Sequence, residues 1–154
     1  MIETPRLPLS AYSKSKAFKL YLNDVGLLCS KFSLSAQSAI SGNRLFTEFK
    51  GIFSENYVLQ SLRRQFGDSS FYWTSGNTAE LEFVLQMDNE IVPVEVKSEN
   101  NVKAKSLSIY RKTYSPSLSL RFSTRNIRKD DDLLNLPLYL ADRISEIYGM
   151  TSSL

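Results

Sequence analysis

The chain has 154 residues, of which 42% are hydrophobic and 23% charged, a composition typical of a single globular domain with its own core. It contains no histidine and one cysteine, Cys29, which excludes internal disulfides, cysteine-based zinc sites, histidine metal ligands and hydrolysis by a histidine base. The formal net charge is only +3 and no apolar run could span a membrane, so we expect a cytoplasmic protein.

The first half of the chain is predicted to lead into one long helix. Residues 1–43 form an N-terminal extension, with a short strand at 18–22 and a loop rich in serine, glycine and asparagine at 36–43. Residues 44–66 follow as the longest helix, and the aromatic run at 71–74 is predicted to be a strand.

One acid interrupts the apolar stripe of this helix. Ile52, Leu59 and Leu62 recur at helical spacing, and Glu55 falls on the same face. An acid that faces inward is unfavourable unless it is paired or bound to a metal. The alternative is a carboxylate that reaches solvent or a backbone group from the edge of the stripe.

The next segment, 79–97, has the alternating pattern of a β-hairpin. A two-residue turn at 88–89 would place Glu82 directly opposite Glu95, with Lys97 two residues further on the same face. Like charges in this position repel each other, and a bound divalent cation would reverse that effect. The alternative is the solvent-facing side of an amphipathic strand, where alternating charges are common.

The remaining elements predict a crossover unit with an uneven charge. The segment 80–99 holds six acids and one lysine, whereas 100–129 holds eight cations and no acid. Such a boundary suits a metal site that acts on a polyanion, although solvated surfaces also produce charge runs. We predict a helix at 103–114, a strand at 118–122 that completes a right-handed βαβ unit, an acidic loop at 130–132 and a last helix at 141–148.

These elements, taken together, resemble the PD-(D/E)xK nuclease-like core. More closely, the chain resembles the C-terminal domain of unknown function of prokaryotic AAA+ ATPases. The matching stretches are LYLNDVGLL at 20–28, GIFSENYV at 51–58, YWTS at 72–75, AELEFVL at 79–85, PVEVKS at 93–98, KSL at 105–107 with Tyr110, and PLY at 137–139.

The resemblance implies an α/β fold, with a mixed central β-sheet flanked by helices and a restriction-endonuclease-like core at 44–148. It implies that the chain is one nuclease-like domain, the C-terminal part of a longer ATPase. The catalytic positions fall on Glu55, Glu82, Glu95 and Lys97, with Mg²⁺ held by Glu82, Glu95 and the Val96 carbonyl. Glu82 stands where the family more often has aspartate.

Two functions follow from the resemblance. One is Mg²⁺-dependent hydrolysis of DNA, and the other is a catalytically inactive module that binds DNA or a protein partner of an AAA+ ATPase.

The glycines form neither GxGxxG nor GxxxxGK, so no nucleotide site is expected in this chain. Its sequence leaves the oligomeric state open. The DNA backbone would be contacted by Lys103, Lys105, Arg121, Arg125 and Arg128.

Overall fold

The computed structural model describes residues 1–14, 16–35, 37, 41, 44–76, 79–98 and 105–152. The helices are α1 (Val25–Lys31), α2 (Arg44–Phe66), α3 (Lys105–Tyr114) and α4 (Ile144–Ser152), with 3₁₀ helices at Leu9–Tyr12 and Leu138–Arg143. The strands are β1 (Phe71–Thr74), β2 (Glu80–Met87), β3 (Glu90–Val96), β4 (Ser119–Ser123), β5 (Arg128–Asp130) and β6 (Leu133–Pro137). Within the described ranges, no helix combines the length and the apolar character needed to cross a membrane.

Six strands form one mixed sheet in the order β1-β2-β3-β4-β6-β5. β3, β4 and β6 run parallel, whereas the pairs β1–β2, β2–β3 and β5–β6 are antiparallel. The chain connects β3 to β4 through α3, because parallel neighbours require a long crossover. The protein is therefore a mixed α/β protein with helices flanking a mixed sheet, as the sequence predicts.

Helices pack on both faces of the sheet. On one face, which we call the α2 face, Val58 and Leu62 of α2 join a cluster with the inward side chains of the central strands. On the other, the α3 face, Leu107 and Tyr110 of α3 share a cluster with Trp73. The Trp73 and Tyr110 rings meet edge to face, with centroids 5.1 Å apart.

The hairpin has the turn and the register that the sequence predicts. Its pairs run from Met87 opposite Glu90 to Phe83 opposite Val94. Asp88 in the turn has a φ of 51°, a left-handed conformation that aspartate tolerates in tight hairpin turns. Because a two-residue turn fixes the register, the local sequence was sufficient to predict these pairs.

A β-bulge interrupts β2 on the side that faces β1. Phe71 lies opposite Val84 and Trp73 lies opposite Leu81, so β2 contains one more residue than β1 over this stretch. The extra residue brings Leu81 into the same cluster as Val84, whereas strict alternation would separate them. Glu82 lies inside this bulge, and bulges commonly redirect a side chain.

The predicted strand at 18–22 is wrong. The structure has no strand there, and the Leu22 N–H donates to Asn56 Oδ1 at 3.0 Å instead of to a neighbouring strand. Leu20 is 86% exposed. The alternating apolar residues that indicated a strand therefore lie on an extended segment that a side-chain amide of α2 holds in place.

The first residues of the chain contribute to the core. The Ile2 N–H donates to the Tyr72 carbonyl at 2.8 Å, and the Ile2 carbonyl accepts from the Thr74 N–H at 3.2 Å. Ile2 and Leu9 are fully buried in the cluster of the α3 face. The segment thus covers the outer edge of β1.

Two further differences from the sequence-based expectations concern β5 and α2. The short strand β5 was not expected, because its three residues are charged and exposed. The helix α2 has the predicted bounds, but Ile52 is 48% exposed and the apolar face is centred on Phe53, Val58 and Leu62. The first two residues of the predicted helix at 103–114 lie outside the described residues.

Candidate functional site

Lys97 brings together the four residues that the sequence singled out. It follows the last residue of β3, and its Nζ lies 3.4 Å from Glu95 Oε1. Burial raises the pKa of Glu55, from α2, and of Glu82, from β2, and the positive charge of Lys97 opposes both rises. The structure thus assembles three acids and one lysine at the end of β3.

Glu95 is the most enclosed of these acids, with a side chain only 1% exposed. Its Oε1 faces Lys97, and its Oε2 lies 3.4 Å from Nε of Arg121 on the neighbouring strand β4. Glu95 and Arg121 are direct partners in the parallel register of β3 and β4. A buried carboxylate requires such compensation, because an unpaired one would be strongly unfavourable.

Glu82 binds the backbone of the opposite strand. The last pair of the β2–β3 ladder is Phe83 with Val94, and beyond it Glu82 Oε2 accepts the Val96 N–H at 3.2 Å. The predicted side-by-side pair of Glu82 and Glu95 is therefore not part of the ladder. Burial raises the pKa of Glu82 to about 7, against the lowering effects of its own backbone, Lys97 and the Val96 N–H.

Glu55 lies beside a cationic and aromatic environment. Burial raises the pKa of the Glu55 carboxyl above its ordinary value, and the charge of Lys19 is the largest opposing effect. The pKa of Tyr21 is also raised, first by burial and then by the negative charges of Glu55 and Glu82. The buried Tyr21 hydroxyl has no hydrogen-bond partner of good geometry among the described residues.

The carboxylates do not fit a Mg²⁺ ion in this arrangement. Both oxygens of Glu95 face cations, and Glu82 Oε2 is occupied by the Val96 N–H. Mg²⁺ needs free oxygen ligands in near-ideal octahedral geometry. Within the described ranges, no group of three or more Asp, Glu or Cys side chains is placed to hold a metal ion.

The structure brings some of the basic residues predicted to contact DNA together at one cavity. Lys103 lies outside the described residues, and Lys105 is exposed at the first turn of α3. Arg121, Arg125 and Arg128 instead line one cavity of about 390 Å³ at the β4–β5 connection. Three of the five predicted residues are therefore neighbours, and Arg121 additionally belongs to the Glu95 ion pair.

Asn135 is a residue that the sequence reasoning missed. It is 7% exposed, and its amide Nδ2 donates to the Asn126 carbonyl at 2.9 Å and to the Arg125 carbonyl at 3.5 Å. Its Oδ1 accepts from Ser123 Oγ at 2.8 Å. The available signal was one polar residue inside the apolar run Leu133–Pro137, since buried polar groups are retained only where they are bonded.

Comparison with known proteins gives one match. A family model described as a domain of unknown function (DUF4143) matches residues 50–139, which is more than half of the chain. No curated protein and no solved structure matches. The match covers Glu55, Glu82, Glu95 and Lys97, together with the strands that carry the basic cavity.

Proposed function

The chain belongs to the DUF4143 family, and we propose that its domain is a catalytically inactive, nuclease-like module that binds DNA for an AAA+ ATPase. The order of a helix with an acid, a hairpin with Glu82 and Glu95-x-Lys97, a crossover helix and a parallel strand supports the relation to a PD-(D/E)xK core. Fold alone does not establish an activity. The state of the carboxylates therefore decides between the two functions.

One observation carries the proposal of an inactive module: Glu95 shares its carboxylate between Lys97 and Arg121. A divalent cation at this carboxylate would lie next to two positive charges in a poorly solvated site. The repulsion would be several kcal/mol even at an effective dielectric constant of ~20. Arg121 thus supplies the neutralisation that a metal ion supplies in an active site.

DNA binding is supported by the distribution of charge. The acid-free segment 100–129 includes α3 and β4, and it has exposed cations at Arg125, on the connection after β4, and at Arg128 and Lys129 of β5. Arginine and lysine side chains bind phosphates, release counterions and produce an affinity that falls with salt. A basic surface of this kind binds without regard to base sequence, because phosphates carry no sequence information.

The test is a plasmid-nicking assay combined with a binding assay. We expect salt-sensitive binding of duplex or single-stranded DNA and no cleavage with Mg²⁺ or Mn²⁺, either by the wild-type protein or by Lys97→Ala. Metal-dependent cleavage that Lys97→Ala abolishes would establish the second candidate, a Mg²⁺-dependent nuclease. That candidate is favoured by one observation, which is that the three acids of the site, Glu55, Glu82 and Glu95, lie around Lys97.

The AAA+ association rests on the resemblance of the matched stretches. It is tested in the ATPase that carries or accompanies this domain, by measuring ATP hydrolysis with and without DNA. We expect DNA to change the hydrolysis rate only when the domain is present. A rate that responds equally to DNA in its absence would refute the association.

A further inference from the structure

Four aligned residues cross the sheet on its α3 face. Glu95 of β3 lies opposite Arg121 of β4, Arg121 lies opposite Asn135 of β6, and Asn135 lies opposite Arg128 of β5. Directly paired residues point to the same side of a sheet. We call these four residues the polar row. The apolar residues on either side of Arg121 and Asn135 pack on the α2 face, so the polar row faces away from that core.

The cavity beside the polar row is lined by more positive than negative side chains. Arg121, Arg125 and Arg128 line it together with one acid, Asp130, and Arg128 Nε donates to Asp130 Oδ1 at 2.9 Å. Glu95 is not among the lining residues and reaches Arg121 only through Nε. Within the described part of the chain, the two terminal nitrogens of Arg121 make no hydrogen bond.

Buried hydrogen bonds fix the loop that bears Arg125. Asn135 holds the carbonyls of Arg125 and Asn126, and the Arg125 N–H donates to Ser123 Oγ at 3.1 Å. Ser123 is fully buried and in turn donates to Asn135 Oδ1. A loop held in this way loses little conformational entropy when it binds a ligand, which is the advantage of a preorganised site.

We propose that the cavity between Arg121, Arg125 and Arg128 is the binding site of a DNA phosphodiester group. Glu95 and Asn135 act as positioning residues. Glu95 holds Arg121 by Nε and leaves its outer edge for the phosphate, and Asn135 fixes the backbone of Arg125. Guanidinium groups match phosphate oxygens in geometry as well as in charge. This inference rests on the proposed DNA binding and names the place where it occurs.

The experiment measures DNA affinity as a function of salt by fluorescence anisotropy. Each phosphate contact that is lost lowers the slope of log K against log salt by about 0.9 for duplex DNA. We therefore expect Arg125→Gln and Arg128→Gln each to lower the slope by about 1 and to weaken binding several-fold at ~50 mM salt. Arg143→Gln is the matched control, because Arg143 is also an exposed arginine paired with an acid, Glu146, at 2.7 Å.

The positioning role has its own variant. Asn135→Ala keeps all three arginines but releases the loop, so we expect a lower salt slope in protein that is still folded at the temperature of the assay. A merely structural role would reduce stability and leave the slope of the folded protein unchanged. If this variant does not fold, the two arginine variants still decide the question.

The outcomes separate the two proposals. If the slope of log K against log salt is equal for the wild type, Arg125→Gln, Arg128→Gln and Arg143→Gln, the proposed phosphate-binding site is wrong, whereas DNA binding still stands. A wild-type protein that binds no DNA would overturn both. Competition by inorganic phosphate that is as effective as competition by DNA would also overturn the assignment, because the cavity would then be a site for the free anion.

Discussion

Replacing Glu82 by glutamine is expected to stabilise the protein at neutral and alkaline pH. Glu82 is enclosed by the bulge of β2, and burial raises its pKa from the ordinary value of 4.5 to about 7. Glutamine keeps the shape of the side chain and an oxygen that can accept the Val96 N–H. Glu82→Gln therefore removes the charge and preserves the contact at 3.2 Å.

The direction of the pH effect follows from proton binding. Between pH 4.5 and about 7, the folded state keeps a proton on Glu82 that the unfolded state has released. The folded state then binds more protons, so the free energy of unfolding falls as the pH rises. This loss of stability is absent below pH 4.5, where Glu82 is protonated in both states, and is complete above about pH 7.

The size of the effect follows from the same pKa values. One pKa unit corresponds to about 1.4 kcal/mol, so a rise from 4.5 to about 7 corresponds to about 3 kcal/mol. We expect Glu82→Gln to exceed the wild type by about 2–3 kcal/mol in free energy of unfolding at pH ~8 and to equal it near pH 4.5. Urea denaturation at a series of pH values measures both differences.

Glu90→Gln is the matched control, because it makes the same substitution at the turn end of the same hairpin. It should leave the pH dependence of stability close to that of the wild type. The reasoning is refuted if Glu82→Gln is no more stable than the wild type at pH ~8, or if the two proteins lose stability in parallel as the pH rises.

Three further substitutions test two ion pairs and the core packing of the sheet. Glu95→Gln removes the charge that Arg121 shares, and we expect the free energy of unfolding to fall by about 3 kcal/mol in urea denaturation; an unchanged value would mean that the pair is not buried. Arg111→Met removes two hydrogen bonds to Asp132 and should cost about 1–2 kcal/mol by the same measurement, whereas no loss would show that this pair is fully hydrated. Leu120→Ala leaves a cavity in the α2 face and should lower the free energy of unfolding by about 3 kcal/mol, which also lowers the midpoint of thermal unfolding. A loss of less than about 1 kcal/mol would contradict the burial of Leu120.

Local patterns were sufficient to predict the elements whose geometry is local. The helix Arg44–Phe66 has the predicted bounds, and the hairpin register followed from its two-residue turn. The bulge was not predictable from alternation, because Leu81 continues the regular apolar pattern of Phe83 and Leu85 in the sequence although it packs on the opposite face of the sheet. Glu82 therefore reaches the Val96 N–H rather than pairing directly with Glu95 in the ladder.

The surroundings of Glu95 depend on contacts between distant parts of the chain. Arg121 is its partner because β3 and β4 are parallel, and a crossover helix does not fix their register in the way that a tight turn does. The composition of the 100–129 segment predicted a basic surface but not which cation faces the buried acid. Asn135 aligns with Arg121 through a third strand, which the local sequence could not indicate.

The contact of Ile2 with β1 bears on the size of the autonomous folding unit. A fragment limited to residues 50–139, the span of the family match, would omit Ile2, Leu9 and Ile144, which are at most 1% exposed. It would uncover Trp73 and leave the outer edge of β1 free to pair with other molecules, which favours aggregation. The segment matched by the family model is thus shorter than the segment that forms the hydrophobic core. Residues before 50 and after 139 supply the side chains that complete that core.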